Sequence, residues 1–563
     1  MPDPTRSLPS TPASDPPAVP ALRLTAAQFG GLAAGYGDPA AIGVLHDGQL
    51  AKRRLLLRAL AAAAGPAGKA ALDLLSTADR QAPEAVRTVL GQPHLDAAAA
   101  ARLRQGTPDD LLCRYAAAAA ALAGLRFTIR VPTDAGHLHL PALGTAVGVG
   151  PGPATVCGTF TGISVVGSRD TLSVPAPFDA GTRVWWPLRR LTVEASGQRL
   201  TLAVDDVDPE RDCYQWPAAD RLDDAGLARF AALLGDAWQS IVADHPDHAA
   251  AIQGLLWAIV PLSPAAGNVS AASRRAGGSI ALAVPADAAG LALLMLHEFQ
   301  HMKLNALLDL VDLCSGAGPP RHRAPWRLDP RPVGALLQGT YAHLAVADFW
   351  RRHRHRAAAA GAHLEFAYWL AQSRQGAATL AASGELTGPG DTFVAGLAAT
   401  LDGWHATEDV PAGVRDAVAD LSVAAAVSWH LRNLRPTAAT VAGLATQWAA
   451  GTARPDVPAA DWGPAPPPGP APVSGVEAAI RSRPAELPGT PSDQDEWLRR
   501  LAADPDDIDA WAGLAVALRP VDPTAVRGLT ARPELVRALY AHPDAGAGGP
   551  RRLAAWIGAG LDR

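Results

Sequence analysis

The stretch LALLMLHEFQHMKLNALLDL, residues 291–310, constrains this chain more than any other, because it is apolar on nearly every side yet holds His297, Glu298 and His301 as HExxH. A helix that is apolar all round belongs in a protein interior. Residues along an α-helix turn by about 100° each, so four steps return to within about 40° and put His297 and His301 on one face, able to share a divalent ion. Ligand bonds of about 2.0 to 2.2 Å are expected there. Glu298 lies about 100° further round, where it can reach a metal-bound water or the ion's open side. The flanks agree with this reading: residues 279–285 read as a strand, 286–290 as a turn and helix start, and Leu291, Leu294, Met295 and Leu304 as a buried stripe. Taken as an edge strand, 279–285 could also pair with an extended peptide.

Length and charge narrow the setting. A chain of 563 residues exceeds one ordinary core, so two to four domains are expected. With 48% hydrophobic residues, 18% charged and a net charge of -5, it carries no general attraction for nucleic acid or anionic membranes. Cys113, Cys157, Cys213 and Cys314 are far apart and form no CxxC, which suits a reducing cytoplasm. Residues 1–20 are proline-rich without the apolar core of a signal peptide and read as a disordered tail. The alanine run at 116–125 is about half the length a bilayer requires, so no membrane segment is expected.

The pattern along the chain predicts a mainly α protein with an inserted antiparallel β region, an α+β architecture in which the HExxH helix lies in a helical core. Residues 21–125 read as helical, and 126–215 as β-rich, with strands at 127–131, 154–166, 183–193 and 198–204. A helical catalytic core follows over 216–452, with helices at 222–243, 333–355, 363–373 and 414–434. Residues 453–475 form a proline-rich linker and a domain boundary. The C-terminal region, 476–563, is helical; 493–520 resembles one tetratricopeptide-type unit, with a small bundle packed on the main body as the plainer alternative.

Two histidines need a third protein ligand that still leaves positions open. A metzincin pattern is excluded, since Leu304 and Leu307 stand where its glycine and last histidine belong. A gluzincin-type glutamate would be Glu365, distant in sequence, and Asp309, Asp312, Asp329 and Asp348 are further carboxylates. His343 is the strongest candidate, because Gly339, Thr340 and Ala347 line its helix face with small side chains that let a second helix or a cofactor approach. His353 and His355, in RRHRHR, read as a solvated basic helix end.

HEFQH followed by PWRLDPRPVGALLQGTYAHLAVADFW resembles the HExxH-type family of 2-oxoglutarate-dependent peptide β-hydroxylases of ribosomal-peptide biosynthesis, most clearly over residues 279–350. The resemblance implies Fe(II) held by His297, His301 and His343, with 2-oxoglutarate chelating it. It implies a ribosomal precursor peptide as substrate and a radical-SAM maturase as a companion. The distal carboxylate of 2-oxoglutarate then needs a cation, for which Arg331 is favoured over Arg327, with Tyr341 and Gln338 adding hydrogen bonds. An all-histidine set departs from the usual two-histidine, one-carboxylate triad, which keeps Asp329 and Asp348 open as alternatives. Glu298 would orient a bound water or a substrate amide. Two other classes stay in view: a zinc HExxH metallopeptidase with Glu298 as general base, and a non-catalytic peptide-binding protein.

Overall fold

Thr25 and Gln28 form a reciprocal capping box that starts the first helix, and Asp38 caps the second with Pro39 in its first turn, so the chain enters regular structure where its local chemistry permits. The computed structural model describes residues 22–263, 269–356, 361–464, 474–482, 493–545 and 548–561. The expected tail at 1–20 lies outside the described residues, as does the stretch 465–473 of the proline-rich linker.

Six helices come first: α1 (Ala26–Ala33), α2 (Pro39–Ala63), α3 (Pro66–Gln81), α4 (Pro83–Leu90), α5 (Leu95–Gln105) and α6 (Pro108–Leu122). Nine strands follow: β1 (Phe127–Val131), β2 (Leu138–Leu140), β3 (Gly144–Ala146), β4 (Ala154–Thr159), β5 (Gly162–Val166), β6 (Thr171–Pro175), β7 (Trp185–Pro187), β8 (Arg189–Ala195) and β9 (Gln198–Val204). They do not form one inserted sheet. β1-β4-β5-β6 is an antiparallel sheet and β2-β3-β7 a second, both packed with α3 to α6 around a shared core that includes Leu75, Ala118, Val156 and Trp185. β8 and β9 instead leave this region and join the sheet beneath the HExxH helix.

That sheet is completed after α7 (Asp224–Asp244) and α8 (Pro246–Leu255) by β10 (Ala258–Pro261), β11 (Ser270–Ala272) and β12 (Ser279–Leu282), in the order β11-β12-β10-β9-β8. β10 runs parallel to β12 and β9, whereas β11 is antiparallel to β12. The strand entering the motif helix is therefore interior, buried at all four positions, and not the expected edge; β11 and β8 are the edges, β11 on its side. Continuous burial of Ser-Ile-Ala-Leu suits a strand covered on both faces.

The HExxH helix, α9 (Ala288–Leu308), and the next helix, α10 (Val333–His353), lie side by side in the main core. That core also takes in α1, the start of α2, α7, α8, α11 (Ala362–Ala381) and α12 (Gly388–Thr407). A third core joins α11, α13 (Ala412–Asn433) and α14 (Ala438–Ala449) to the C-terminal helices α15 (Gly475–Arg481), α16 (Gln494–Ala503), α17 (Ile508–Leu518), α18 (Pro523–Ala531), α19 (Pro533–Tyr540) and α20 (Pro550–Gly560). Leu421 and Leu431 share it with Trp511 and Leu535, so the C-terminal region packs on the main body instead of beginning a separate core after the linker. Among the described residues no helix is long and apolar enough to cross a membrane.

Candidate metal centre

α9 begins where Asp287 accepts the Gly290 amide at 2.7 Å. It is fixed in rotation from both ends of its sequence pattern: Leu291, Met295 and Phe299 go into the main core, while Gln300 and Lys303 reach the Gly35 carbonyl at 3.0 and 2.7 Å. With these faces committed, His297 and His301 turn toward α10. There His343 meets His297, ring centroids 5.0 Å apart and nearly perpendicular, and His297 stands in the same relation to His301. Imidazoles that share one ion through bonds of about 2.1 Å have centroids roughly 5 Å apart.

Second contacts fix which nitrogen of two rings is free. His301 Nδ1 donates to Gln338 Oε1 at 3.0 Å, and Gln338 Nε2 is held by Asn305 at 2.8 Å. His343 Nδ1 donates to the Gly339 carbonyl at 2.8 Å, and its ring is clamped between Trp326 and Trp369, with centroids at 4.1 and 4.6 Å. Both Nε2 atoms are left for a ligand, the arrangement that metal-binding histidines favour. Burial, reinforced by His301 and His343, holds His297 well below the ordinary imidazole pKa; burial likewise brings His343 down to about 3. Such rings meet an ion unprotonated.

The donor set therefore suits Zn(II) or Fe(II). Its ligand atoms do not all lie within 4.8 Å of one another, a spacing that among the described residues only His94, Asp205 and Asp208 reach, so the histidine set must close to hold an ion. His297 leaves 20% of its side chain exposed, which gives the centre an accessible side.

The carboxylate alternatives are engaged elsewhere. Asp348 receives His245 and Arg351 at 3.2 and 2.6 Å; Asp329 receives Arg327 and Arg331 at 3.0 and 2.9 Å; Glu365 receives Trp369 and Arg481 at 3.0 and 2.6 Å. Glu298 has one oxygen on the Ser270 hydroxyl of β11 at 2.6 Å, while its Oε2 has no aligned hydrogen-bond partner. Burial raises its carboxyl pKa against the pull of His301, Ser270 and the Ala272 amide.

Two of the expected cosubstrate contacts are placed differently. The Tyr341 hydroxyl donates to the Leu32 carbonyl at 2.6 Å, on the opposite side of α10 from His343, because two residues turn a helix by about 200°. Gln338 serves His301. Arg331 precedes α10, and its Cα is about 16 Å or more from that of His343 along the helix. By contrast, the loop before it folds back so that Trp326 reaches His343. Trp326 and Trp369 also wall a cavity of about 230 Å³ lined by Arg323, Arg327, Arg432 and Arg481 and by one carboxylate, Glu477. Arg323 has Gln375 as a hydrogen-bond partner at 3.1 Å and an unpartnered Nε; neither it nor Arg432 has a carboxylate within 4.0 Å among the described residues. Burial pushes the Arg323 guanidinium down to about 10 against the opposing pull of Tyr368 and Glu477. No periodic pattern along the chain marks this cavity, since its arginines come from a loop and two distant helices.

No protein-family model matches this chain, and no curated protein matches it.

Proposed function

We propose that the protein is an Fe(II)- and 2-oxoglutarate-dependent oxygenase that hydroxylates a side-chain β-carbon of a peptide, with His297, His301 and His343 as the metal ligands. The observation that carries this reading is a three-imidazole site separated by the Trp326–Trp369 clamp from a cavity in which four arginines face one carboxylate, Glu477, because a diacid cosubstrate needs both a metal and a cation. When bound, iron supplies the redox chemistry, and three facial protein ligands leave room for a bidentate keto acid and dioxygen.

The chain's own residues do the rest. Gln338 and the Trp326–Trp369 clamp orient the ligand rings. Arg323, aided by Arg432, takes the distal carboxylate in preference to Arg327 and Arg331, whose guanidinium groups are both held by Asp329. A peptide added to the free edge of β11 would lie over Glu298, which could then accept a peptide amide or position water. The family resemblance makes that peptide a ribosomal precursor also acted on by a radical-SAM enzyme, and the four free cysteines fit a cytoplasmic site of action.

Anaerobic addition of Fe(II) and 2-oxoglutarate should give the weak visible band of a chelated keto acid. With oxygen and the precursor peptide, mass spectrometry should show the gain of one oxygen atom with matching succinate. Arg323→Ala should raise the apparent KM for 2-oxoglutarate by about tenfold or more, the loss of a charge-assisted contact, while Arg331→Ala changes it less. The reverse order would return the anchor to Arg331. A zinc peptidase is the second reading, favoured by the buried, partly unpartnered Glu298 at the edge strand. Zn(II)-supported peptide cleavage independent of oxygen and 2-oxoglutarate, abolished in Glu298→Gln, would establish it.

A further inference from the structure

A second cluster of ligating side chains lies where three parts of the fold meet, away from the HExxH helix. His94 stands at the start of α5, Asp205 and Asp208 in the loop leaving β9, and His139 on β2. Their exposures are 1%, 2%, 5% and 7%. His94 Nδ1 lies 3.2 Å from Asp208 Oδ2 and 3.3 Å from Asp205 Oδ2, and the ligand atoms of these three residues fall within 4.8 Å of one another. Separations of about 3.0 to 3.4 Å are the edges of a coordination shell with bonds of about 2.1 Å.

Hydrogen-bond directions show what those atoms await. Ser279 donates to the Ala276 carbonyl at 2.9 Å, so Tyr214, in contact with Ser279, donates to it, and the Tyr214 oxygen accepts from His94 Nε2 at 3.2 Å. That chain puts the imidazole proton on Nε2 and points Nδ1 at the two carboxylates. Thr145 donates to the Val207 carbonyl at 3.2 Å, so it accepts from His139 Nδ1 at 3.0 Å. His139 Nε2 is then a bare lone pair facing Asp208 Oδ2 at 3.6 Å, on a ring that also borders a cavity. Two electron-rich atoms facing each other on side chains so little exposed call for a cation between them.

The charges point the same way. Asp205 and Asp208 each have their Oδ1 fixed by a backbone amide, of Asp208 at 3.1 Å and of Glu210 at 2.8 Å, leaving both Oδ2 atoms directed inward. Among the described residues no arginine or lysine lies within 4.0 Å of either carboxylate, whereas the intervening Asp206 is paired with Arg189 and Arg221 on its own side. A protonated His94 would balance only one of the two negative charges; a divalent ion balances both.

We propose that His94 Nδ1, Asp205 Oδ2, Asp208 Oδ2 and His139 Nε2 form a second, structural site for a divalent transition-metal ion of the Zn(II) class. His94, Asp205 and Asp208 already stand at ligand spacing, and His139, 3.6 Å from Asp208 but outside that 4.8 Å group, would close on the ion to complete four protein donors, the number of a structural site. The ion would tie the N-terminal helices, the three-stranded sheet and the core sheet together, and through Tyr214 and Ser279 it would brace the strand that leads into the HExxH helix. A cavity of about 470 Å³ bordered by His139 and Thr145 gives it a route of entry.

The test uses the full-length chain, stripped with chelator and reloaded with Zn(II), with bound metal measured by elemental analysis. In His301→Ala, which empties the HExxH centre, about one equivalent should remain; His301→Ala combined with Asp208→Asn, or with His139→Gln, should lose it. Zn(II) added to metal-free His301→Ala should also raise its Tm by several degrees. This measurement leaves the proposed site intact, so it decides the matter even if the Asp208 variant does not fold. No retained equivalent and no Tm shift in His301→Ala would overturn the proposal and leave His94 as a protonated bridge between two carboxylates. Because the HExxH centre is absent from this background, the result is independent of the oxygenase reading.

Discussion

Gln338 touches no substrate in the arrangement described, yet the metal centre depends on it. Its Oε1 takes the His301 Nδ1 proton, and its amide nitrogen is anchored on Asn305, so one side chain sets both the tautomer and the ring plane of a ligand. Gln338→Leu is expected to weaken metal affinity about 10- to 100-fold with the fold retained, read by competition with a chromogenic chelator. Unchanged affinity would mean that His301 is not a ligand through Nε2. His94 supports a separate prediction about pH. Burial disfavours its charged form, but Asp208 and Asp205 outweigh that and raise its pKa to about 10. In metal-free protein the bridge therefore adds stability that is complete below the unfolded value of about 6.5 and is lost as pH rises toward 10. Urea unfolding of the stripped chain should show declining stability over that window, and bound Zn(II) should flatten the decline, because the ion replaces the proton.

The α9–α10 pair draws its geometry from small residues. Gly339 is an ordinary helical position whose absent Cβ is occupied by the Trp326 indole, and Gly376 on α11 gives the same clearance to Thr340. Gly339→Ala would strengthen α10 by about 1 kcal/mol of helix propensity in isolation, but here the added methyl must displace Trp326 from His343. It should lower metal affinity by about tenfold or more and change the tryptophan fluorescence response to metal, while far-UV circular dichroism stays native. A variant that binds metal normally would show that the clamp is dispensable. The edge position of β11 follows from its neighbours: β12 has partners on both sides, and only Ser270–Ala272 offers unpaired backbone next to Glu298.

On the scale of the whole molecule, the C-terminal helices are continuous with the site. α11 carries Trp369 against His343, α13 packs on α11, and α17 packs on α13 with Trp511 fully buried and its Nε1 on the Pro505 carbonyl at 2.8 Å. Trp511→Ala should cost about 3 to 5 kcal/mol. Its denaturant unfolding should move as one transition in which the metal centre and the C-terminal helices are lost together. Early loss of the C-terminal helices with the centre intact would show that residues 476–563 unfold independently.

The sequence alone determined the parts of this protein that depend on neighbours in the chain. Helical periodicity placed α7, α10 and α13 to within a few residues, short runs rich in β-branched and aromatic residues between turn residues placed β1 and β9, and the four-residue spacing put His297 and His301 on one face. Small residues around His343 marked the face that α9 and the indoles now approach. Tertiary structure alone decided which sheet received β8 and β9, which strand became the edge, which arginine lacked a carboxylate, and that His94, His139 and the Asp205–Asp208 loop would meet. Those outcomes depend on pairings between residues about 50 to more than 100 positions apart, where a single strand or side chain has several chemically adequate partners. Only the packing of the complete chain selects among them, because burying one choice leaves the others without a satisfied polar group or a filled core.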